Sequence, residues 1–527
     1  MTQERLIVCL SLLTPLLLIL SFPRFEFSFL AWIALVPFLL AIMKTGRIKA
    51  FALSWGIGLL SYMGIFFWIH QVRGYTFYHY LISGIYLGAY WGILGLLLKL
   101  VDHKRQSYPI YVAIVWVTLE YIRSNFFFLS FPWALLGQTQ YKNINLIQIA
   151  GYTGVYGLSF LLALVNAAIA VLLYHFVFIS HGRLVKRADA LLTLYLSPIL
   201  MVLLLSIWGR SVCRSYDTAG MVRVGLVQGN IAQEIKWNKD VFPLTFERYK
   251  ALTKKVAQEK PSLVIWPETA IPVDFRSQPS AFWRILALAR EVDIPIIFGA
   301  AGSSKIGASD GGEKGIYNSA FYISSQGKIL GEYHKMRLLP FGEYIPSMGG
   351  LSFAFLTPGL KGNFVPGDNQ RLFSLANAQF GVTICWENIF PDLFRGFVSK
   401  GASFMVNISN DAWFKDSAGP YQHLMCQVFR AVENRICIVR VANTGISCVI
   451  DPFGRIVKRV GEDQHQNLNI TGVASQDIQT NPNPTFYTRY GDIFTMGCTG
   501  LLMIYLAWGL AGYLWVLRSG KEKDCSA

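Results

Sequence analysis

The chain of 527 residues is 53% apolar and only 15% charged, with 47 Lys+Arg against 31 Asp+Glu. A soluble domain averages roughly 45–50% apolar and about 25% charged residues, so this composition excludes a wholly soluble protein, a disordered chain, a collagen-like repeat and a small disulfide scaffold. It implies a membrane protein with enough chain left for one large soluble domain, and the meaning of the net charge of +16 depends on where the positive residues lie.

In chain order, seven apolar runs suit membrane helices before residue 215: 6–22, 27–43, 51–69, 81–100, 108–122, 157–179 and 191–208. An eighth, 494–517, lies near the C-terminus. The first follows Arg5 with no small-x-small cleavage site behind it, so it reads as an uncleaved anchor. The run 126–136 is short and contains Pro132, which suits an interfacial or re-entrant piece.

About eight spans put both termini on one side. Loops on that side carry Arg5, Lys44, Arg47, Lys49, Lys99, Lys104, Arg105, Arg183, Lys186, Arg187, Arg518, Lys521 and Lys523. The opposite short loops carry Arg24, Arg73, Arg123 and Lys142. The positive-inside rule then predicts cytoplasmic termini and an extracytoplasmic segment between spans seven and eight. The basic excess needs no nucleic acid to explain it.

That segment, residues 221–489, has a different texture. Runs suited to strands (222–227, 263–266, 295–298, 320–323, 380–384, 404–408 and 436–441) alternate with helix-like stretches such as 244–259 and 279–292. Alternation of this kind predicts an α/β fold. The expected organisation is a seven-helix membrane region (1–215), an α/β domain (216–490), and a last span with its tail (491–527). The eight cysteines include no CxxC pair and no paired Cys/His spacing, so neither a disulfide framework nor a zinc site is expected.

Three segments of the α/β domain could carry chemistry. In FGVTICWEN (380–388) an apolar strand runs into Cys385, and a helix start follows at Pro391. A thiol at such a turn lies near backbone N–H groups that can lower its pKa and hold an oxyanion, although a free cysteine is more commonly just buried. In LVIWPET (263–269), Glu268 stands just past a buried strand, as suits a general base; a cap or surface role is the plainer alternative. In YHKMRLLPFGEY (333–344), Lys335 could stabilise an oxyanion, or simply be solvated.

The order Glu268, Lys335, Cys385, each at a strand end, resembles the Glu-Lys-Cys constellation of the nitrilase superfamily. With seven spans ahead and one behind, the chain resembles its membrane-bound branch, the apolipoprotein N-acyltransferases. Further motifs carry the likeness: WPE at 266–268, PFGEY at 340–344, NDAWF at 410–414, RAVENR at 430–435 and NTGIS at 443–447.

The resemblance implies a polytopic α-helical membrane bundle joined to a nitrilase-like α/β sandwich (αββα). It makes Cys385 the nucleophile, Glu268 the general base and Lys335 the charge stabiliser, with Glu343, Glu387, Trp386 and Trp237 supporting the site or binding substrate. Trp386 departs from the tyrosine that usually follows the family's nucleophile. The implied reaction moves an acyl chain from a phospholipid, through a Cys385 thioester and with ping-pong kinetics, to the N-terminal amine of a diacylglyceryl-cysteine lipoprotein. No metal, cofactor or nucleic acid is implied. The expected protein is a monomer in the bacterial inner membrane with its catalytic domain in the periplasm.

Residues 345–360 (IPSMGGLSFAFLTPGL) suit an apolar, glycine-rich flap. Two alternatives keep their place: a membrane-tethered amidase that hands the acyl group to water, and a transporter or receptor with an inactive ectodomain. Against the latter, the spans hold almost no charges apart from Lys99 and Glu120 near their ends.

Overall fold

A computed structural model describes the chain apart from residues 1–7, 73, 180–187, 215–219, 234–241, 277, 304–314, 349–350, 355–363, 463–467, 482 and 525–527. Trp237 and part of the expected flap therefore lie outside the described residues.

The N-terminal region is helical: α1 (Leu13–Ser21), α2 (Val36–Lys44), α3 (Arg47–Ile65), α4 (Phe77–Leu98), α5 (Tyr108–Asn125), α6 (Val155–Tyr174) and α7 (Ala188–Val212). Among the described residues, five stretches are long and apolar enough to cross a membrane: Arg47–Ile65, Phe77–Leu98, Val155–Val177, Tyr195–Val212 and Ile493–Gly512. Val8–Ser21 and Ser28–Lys44 are apolar but shorter. The run 27–43 is a 3-10 turn, Ser28–Trp32, followed by α2, which carries a proline in its first turn as helix starts tolerate. α3 and α4 approach closely through small residues. A Cβ at Gly88 would stand 2.9 Å from the Leu59 amide nitrogen, and one at Gly95 would stand 2.6 Å from the Ala50 carbonyl.

The α/β segment follows. Its first half holds β1 (Gly220–Gln228), α8 (Phe242–Ala257), β2 (Leu263–Ile265), β3 (Ile271–Asp274), α9 (Pro279–Val292), β4 (Ile296–Ser303), β5 (Ile316–Ile323) and β6 (Ile329–His334). A small hairpin, β7 (Ser347–Met348) and β8 (Leu351–Ser352), comes next. The second half holds β9 (Leu372–Leu375), β10 (Ala378–Ile384), α10 (Pro391–Ser399), β11 (Phe404–Ser409), α11 (Gly419–Asn434), β12 (Cys437–Ala442), β13 (Cys448–Ile450), β14 (Ile456–Arg459) and β15 (Gly472–Thr480). Helices α12 (Phe486–Tyr490) and α13 (Ile493–Asp524) return the chain to the membrane region.

The strands form two main sheets. One runs β15-β1-β2-β4-β5-β6 with β3 beside β4; the other runs β14-β13-β12-β11-β10-β9. Each has a parallel centre (β1-β2-β4 and β10-β11-β12) with antiparallel strands outside it. The two-residue side-chain period sorts the core. Leu263, Ile265, Ile297 and Tyr322 belong to the cluster shared with the second sheet, where Tyr322 meets Phe380 edge-on at 5.5 Å. Their neighbours Val264, Trp266, Ile296 and Phe321 pack with α8 and α9 instead. The result is a helix–sheet–sheet–helix sandwich, as expected.

The outer helix α11 ties the sandwich to the membrane region. It is buried along nearly its whole length despite Gln422, His423, Gln427, Arg430 and Glu433. Two of these side chains bond to the helical region: Gln422 donates to Pro23 O (3.0 Å) and Ile65 O (2.9 Å) and accepts from Trp68 Nε1 (3.0 Å). Glu433 accepts from the Val155 amide at the start of α6 (3.0 Å) and from Arg430 (2.6 Å). Trp133 stacks on His423 with ring centroids 5.4 Å apart.

Candidate active site

Glu268, Lys335 and Cys385 each leave the end of a strand, and the sandwich gathers them. Glu268 follows β2 and the buried Trp266, whose ring stacks on Tyr249 (4.9 Å) and whose Nε1 donates to Thr253 (2.9 Å). The chain then turns sharply, with Thr269 in the left-handed region at φ 47°. This turn presses against β4 where the sequence supplies Gly299. A Cβ there would lie 2.6 Å from Glu268 Cα, so glycine is what admits the Glu268 turn.

Lys335 follows β6 and is 2% exposed. Its amide donates to Asn318 O on β5 (2.8 Å). Its ammonium lies 2.9 Å from Glu343 Oε1 and 3.8 Å from Glu268 Oε1. Asn318 Nδ2 donates to the same two oxygens, at 2.8 Å to Glu268 and 3.0 Å to Glu343. One lysine and one amide thus hold two carboxylates together. Burial opposes the Lys335 charge, but Glu343 and Glu268 outweigh it and the pKa rises.

Cys385 ends β10 in the left-handed region, φ 54°, before a 3-10 turn (Cys385–Ile389) and α10. A non-glycine residue held there is strained, and surrounding bonds must hold it. Asn407 Nδ2 donates to Cys385 O (3.2 Å), and Ile384 N donates to Glu387 Oε2 (2.8 Å). Burial and the nearby Glu268 push the thiol pKa up, against the pull of Lys335. Of the carboxylates around it, Glu268 acts on the thiol most strongly, which puts a candidate base beside the sulfur.

Glu387 is fully buried and clamps the elbow to the lysine loop. It accepts from Tyr333 OH (2.9 and 3.0 Å), Met336 N (2.7 Å), Arg337 N (3.0 Å) and Ile384 N. Burial pushes its pKa up to about 7, against the lowering effect of the Arg337 and Ile384 amides. Trp386 Nε1 donates to Arg337 O (2.6 Å), a second tie between the same two loops.

Sequence reasoning missed Asn318 and the polar cluster behind the elbow. There Arg440 bonds Asn407 (3.0 Å) and Asp411 (2.5 Å), while His423 lies 3.1 Å from Asp411 and 2.9 Å from Asn388. The NDAWF and RAVENR motifs border this cluster, which was the signal available. Trp237 lies outside the described residues.

A cavity of about 390 Å³ opens beside the elbow, at the seam with the membrane region. Trp386, Met336, Leu338 and Tyr344 line one side, and Phe127 and Phe128, just past α5, line the other. Phe353, after β8, packs on Phe128 with centroids 5.5 Å apart.

A strand-end cysteine beside a lysine and two carboxylates, in a four-layer sandwich, belongs to the carbon-nitrogen hydrolase class. Residues 223–482 match the carbon-nitrogen hydrolase family model, and residues 15–168 match the apolipoprotein N-acyltransferase N-terminal domain. The chain is 38% identical over 499 residues to an apolipoprotein N-acyltransferase of Geobacter metallireducens, covering 93% of this chain and 92% of that one. It is 31% identical to that of Rickettsia prowazekii over 397 residues, 74% of each. The chain belongs to the apolipoprotein N-acyltransferase family, and is a membrane-associated acyltransferase. Among solved structures, a cysteine-to-alanine mutant of a Nesterenkonia amidase from the nitrilase superfamily matches with TM-score 0.38 and 17% identity, over 52% of this chain and 96% of that one. A carbon-nitrogen hydrolase of Helicobacter pylori matches with TM-score 0.36 and 18% identity, over 49% and 89%.

Proposed function

We propose that the chain N-acylates lipoproteins in two steps through Cys385. Glu268 takes the thiol proton as sulfur attacks the ester carbonyl of a phospholipid. Lys335 and backbone N–H groups at the elbow stabilise the oxyanion. The ester C–O bond breaks, Glu268 returns the proton to the departing alkoxide, and lysophospholipid leaves. The N-terminal amine of a diacylglyceryl-cysteine lipoprotein then attacks the thioester. A C–N bond forms, the C–S bond breaks, and the amine proton passes through Glu268 back to sulfur. Glu343 holds Lys335 in place, and Glu387 and Trp386 hold the elbow. Trp237 is assigned to the substrate side.

The observation that carries this reading is the Lys335 ammonium, buried against Glu268 and Glu343, with the elbow cysteine close enough for all three charges to act on its thiol. Residues 1–215 and 491–527 serve as the membrane region, with eight spans and both termini cytoplasmic, and 216–490 as the periplasmic catalytic domain of an inner-membrane monomer. Anchoring the site at the bilayer surface raises the effective concentration of two lipid substrates. The residues 345–360 act as a flap that keeps water from the thioester.

The test is lysophospholipid release by purified protein in mixed micelles. Release in step with acylation of a diacylglyceryl lipopeptide supports the transferase. Free fatty acid formed at the same rate whether or not the lipopeptide amine is blocked contradicts it.

A further inference from the structure

The cavity at the seam is mostly apolar: phenylalanines, prolines, Met336, Leu338 and Trp386 make most of its wall, with Ser130, Tyr344 and Arg337 as its polar part. Among the described residues that line it, Arg337 alone carries a charge. An apolar cavity with one cation fits an amphiphile bearing an anion close to its hydrocarbon part.

Arg337 is also unusually well placed for an exposed arginine. Its amide donates to Glu387 Oε1 (3.0 Å) and its carbonyl accepts from Trp386 Nε1 (2.6 Å). These are the bonds that hold the Lys335 loop to the Cys385 elbow, so the backbone of Arg337 is fixed relative to both. The guanidinium carbon stands 5.2 Å from the ring centroid of Phe390, another cavity residue. The head of the side chain stays accessible, 43% exposed, and bonds through Nη2 to Asp392 Oδ2 at 2.7 Å, itself 46% exposed. A solvated ion pair of this kind is weak and exchangeable. A phosphate diester offers two oxygens to the planar fork and matches it better than one carboxylate oxygen does.

We propose that Arg337 recognises the phosphate of the acyl donor, selecting phosphate-bearing lipids over neutral glycerides, with Asp392 as the exchangeable counter-ion that the phosphate displaces. This rests on the donor reading of the proposed function. The ester presented to Cys385 lies a few bonds from the phosphate in a glycerophospholipid. A cation fixed to the loop that carries Lys335 would therefore register the ester against the nucleophile.

The full-length protein is assayed in neutral-detergent micelles with a lipopeptide acceptor. Donors are phosphatidylglycerol and the diacylglycerol with the same acyl chains, and deacylated donor is the readout. Wild type is expected to favour the phospholipid in kcat/KM. In R337Q that preference falls about tenfold, mainly through KM for the phospholipid, and R337K lies between. D392N, which removes the competing carboxylate, is expected to lower KM for the phospholipid. An R337Q protein that keeps the wild-type preference, or loses rate on both donors in parallel, overturns the assignment. So does stimulation of diacylglycerol turnover by millimolar inorganic phosphate in wild type, since Arg337 would then be serving a soluble anion. Failure of wild type on both donors instead defeats the donor reading and this one with it. A melting curve for each variant separates misfolding from altered preference.

Discussion

Asn318 Nδ2 and Lys335 Nζ each contact both Glu268 and Glu343, and Glu343 also accepts from the Leu339 amide (2.8 Å). Removing either bridge leaves two carboxylates close together with one donor fewer between them. N318A should lower kcat about 10- to 100-fold with little change in KM, because the amide acts on the carboxylates rather than on substrate. K335M should cost roughly a thousandfold or more, since it also removes the oxyanion's cation. Single-turnover release of lysophospholipid, with melting temperature as the control for folding, reads both. Behind the elbow, Asp411 is a second test. Burial raises its pKa, but Arg440 and His423 more than reverse this, and it falls from 3.8 to about 2. The stability it contributes is therefore present above about pH 4 and is lost as pH falls toward 2. An acid-unfolding series should show that loss in wild type, while D411N should be destabilised at neutral pH by leaving Arg440 buried and unpaired. Cys385 was legible because an apolar run ended on it just before a proline-led helix. Asn318 and Arg440 were not, since a polar residue inside a strand looks in sequence like one that faces water.

At the scale of elements, Gly299 decides whether the Glu268 turn fits. G299A should destabilise the protein by roughly 1–3 kcal/mol through overpacking and should lower kcat as well, because the displaced group carries Glu268. Thermal melting and turnover on the same preparation test the pair of effects. Each of the seven strand runs legible in the sequence falls on a strand, six in the parallel centres and one on the antiparallel β5, because β-branched and aromatic residues mark buried strands. Lys335 reads as standing at a strand end, but β6, which delivers it, is not among those seven runs. Its sequence ILGEYH is half-exposed and includes a glycine and a glutamate. β15 escaped for a similar reason: GVASQDIQT is a polar edge strand whose place comes from antiparallel pairing with β1, some 250 residues earlier in the chain. Of residues 345–360, expected as a flap, 345–348 and 351–354 are described: they form the β7–β8 hairpin, and Phe353 just after it packs on Phe128 beyond α5.

For the whole molecule, the relation between sandwich and membrane region was the least legible feature. α11 carries Gln422, Arg430 and Glu433 at positions that periodicity would assign to solvent. Gln422 bonds Pro23, Ile65 and Trp68, and Glu433 bonds Val155, all far away in sequence, while Arg430 bonds Ile389 and Glu433. Because Glu433 joins Arg430 to the first turn of α6, E433A should cost about 3–5 kcal/mol by stranding a buried cation. A lowered melting temperature in detergent would show it. The composition, by contrast, announced a membrane protein at once, and the ordered motifs announced the family. Whether Cys385 carries the acyl group between two lipids is read most directly by intact-protein mass spectrometry after incubation with phospholipid alone. A mass gain of one acyl chain is expected, localised to Cys385, absent from C385A and discharged by a lipopeptide amine. An adduct that persists in C385A, or maps to another residue, would contradict that role.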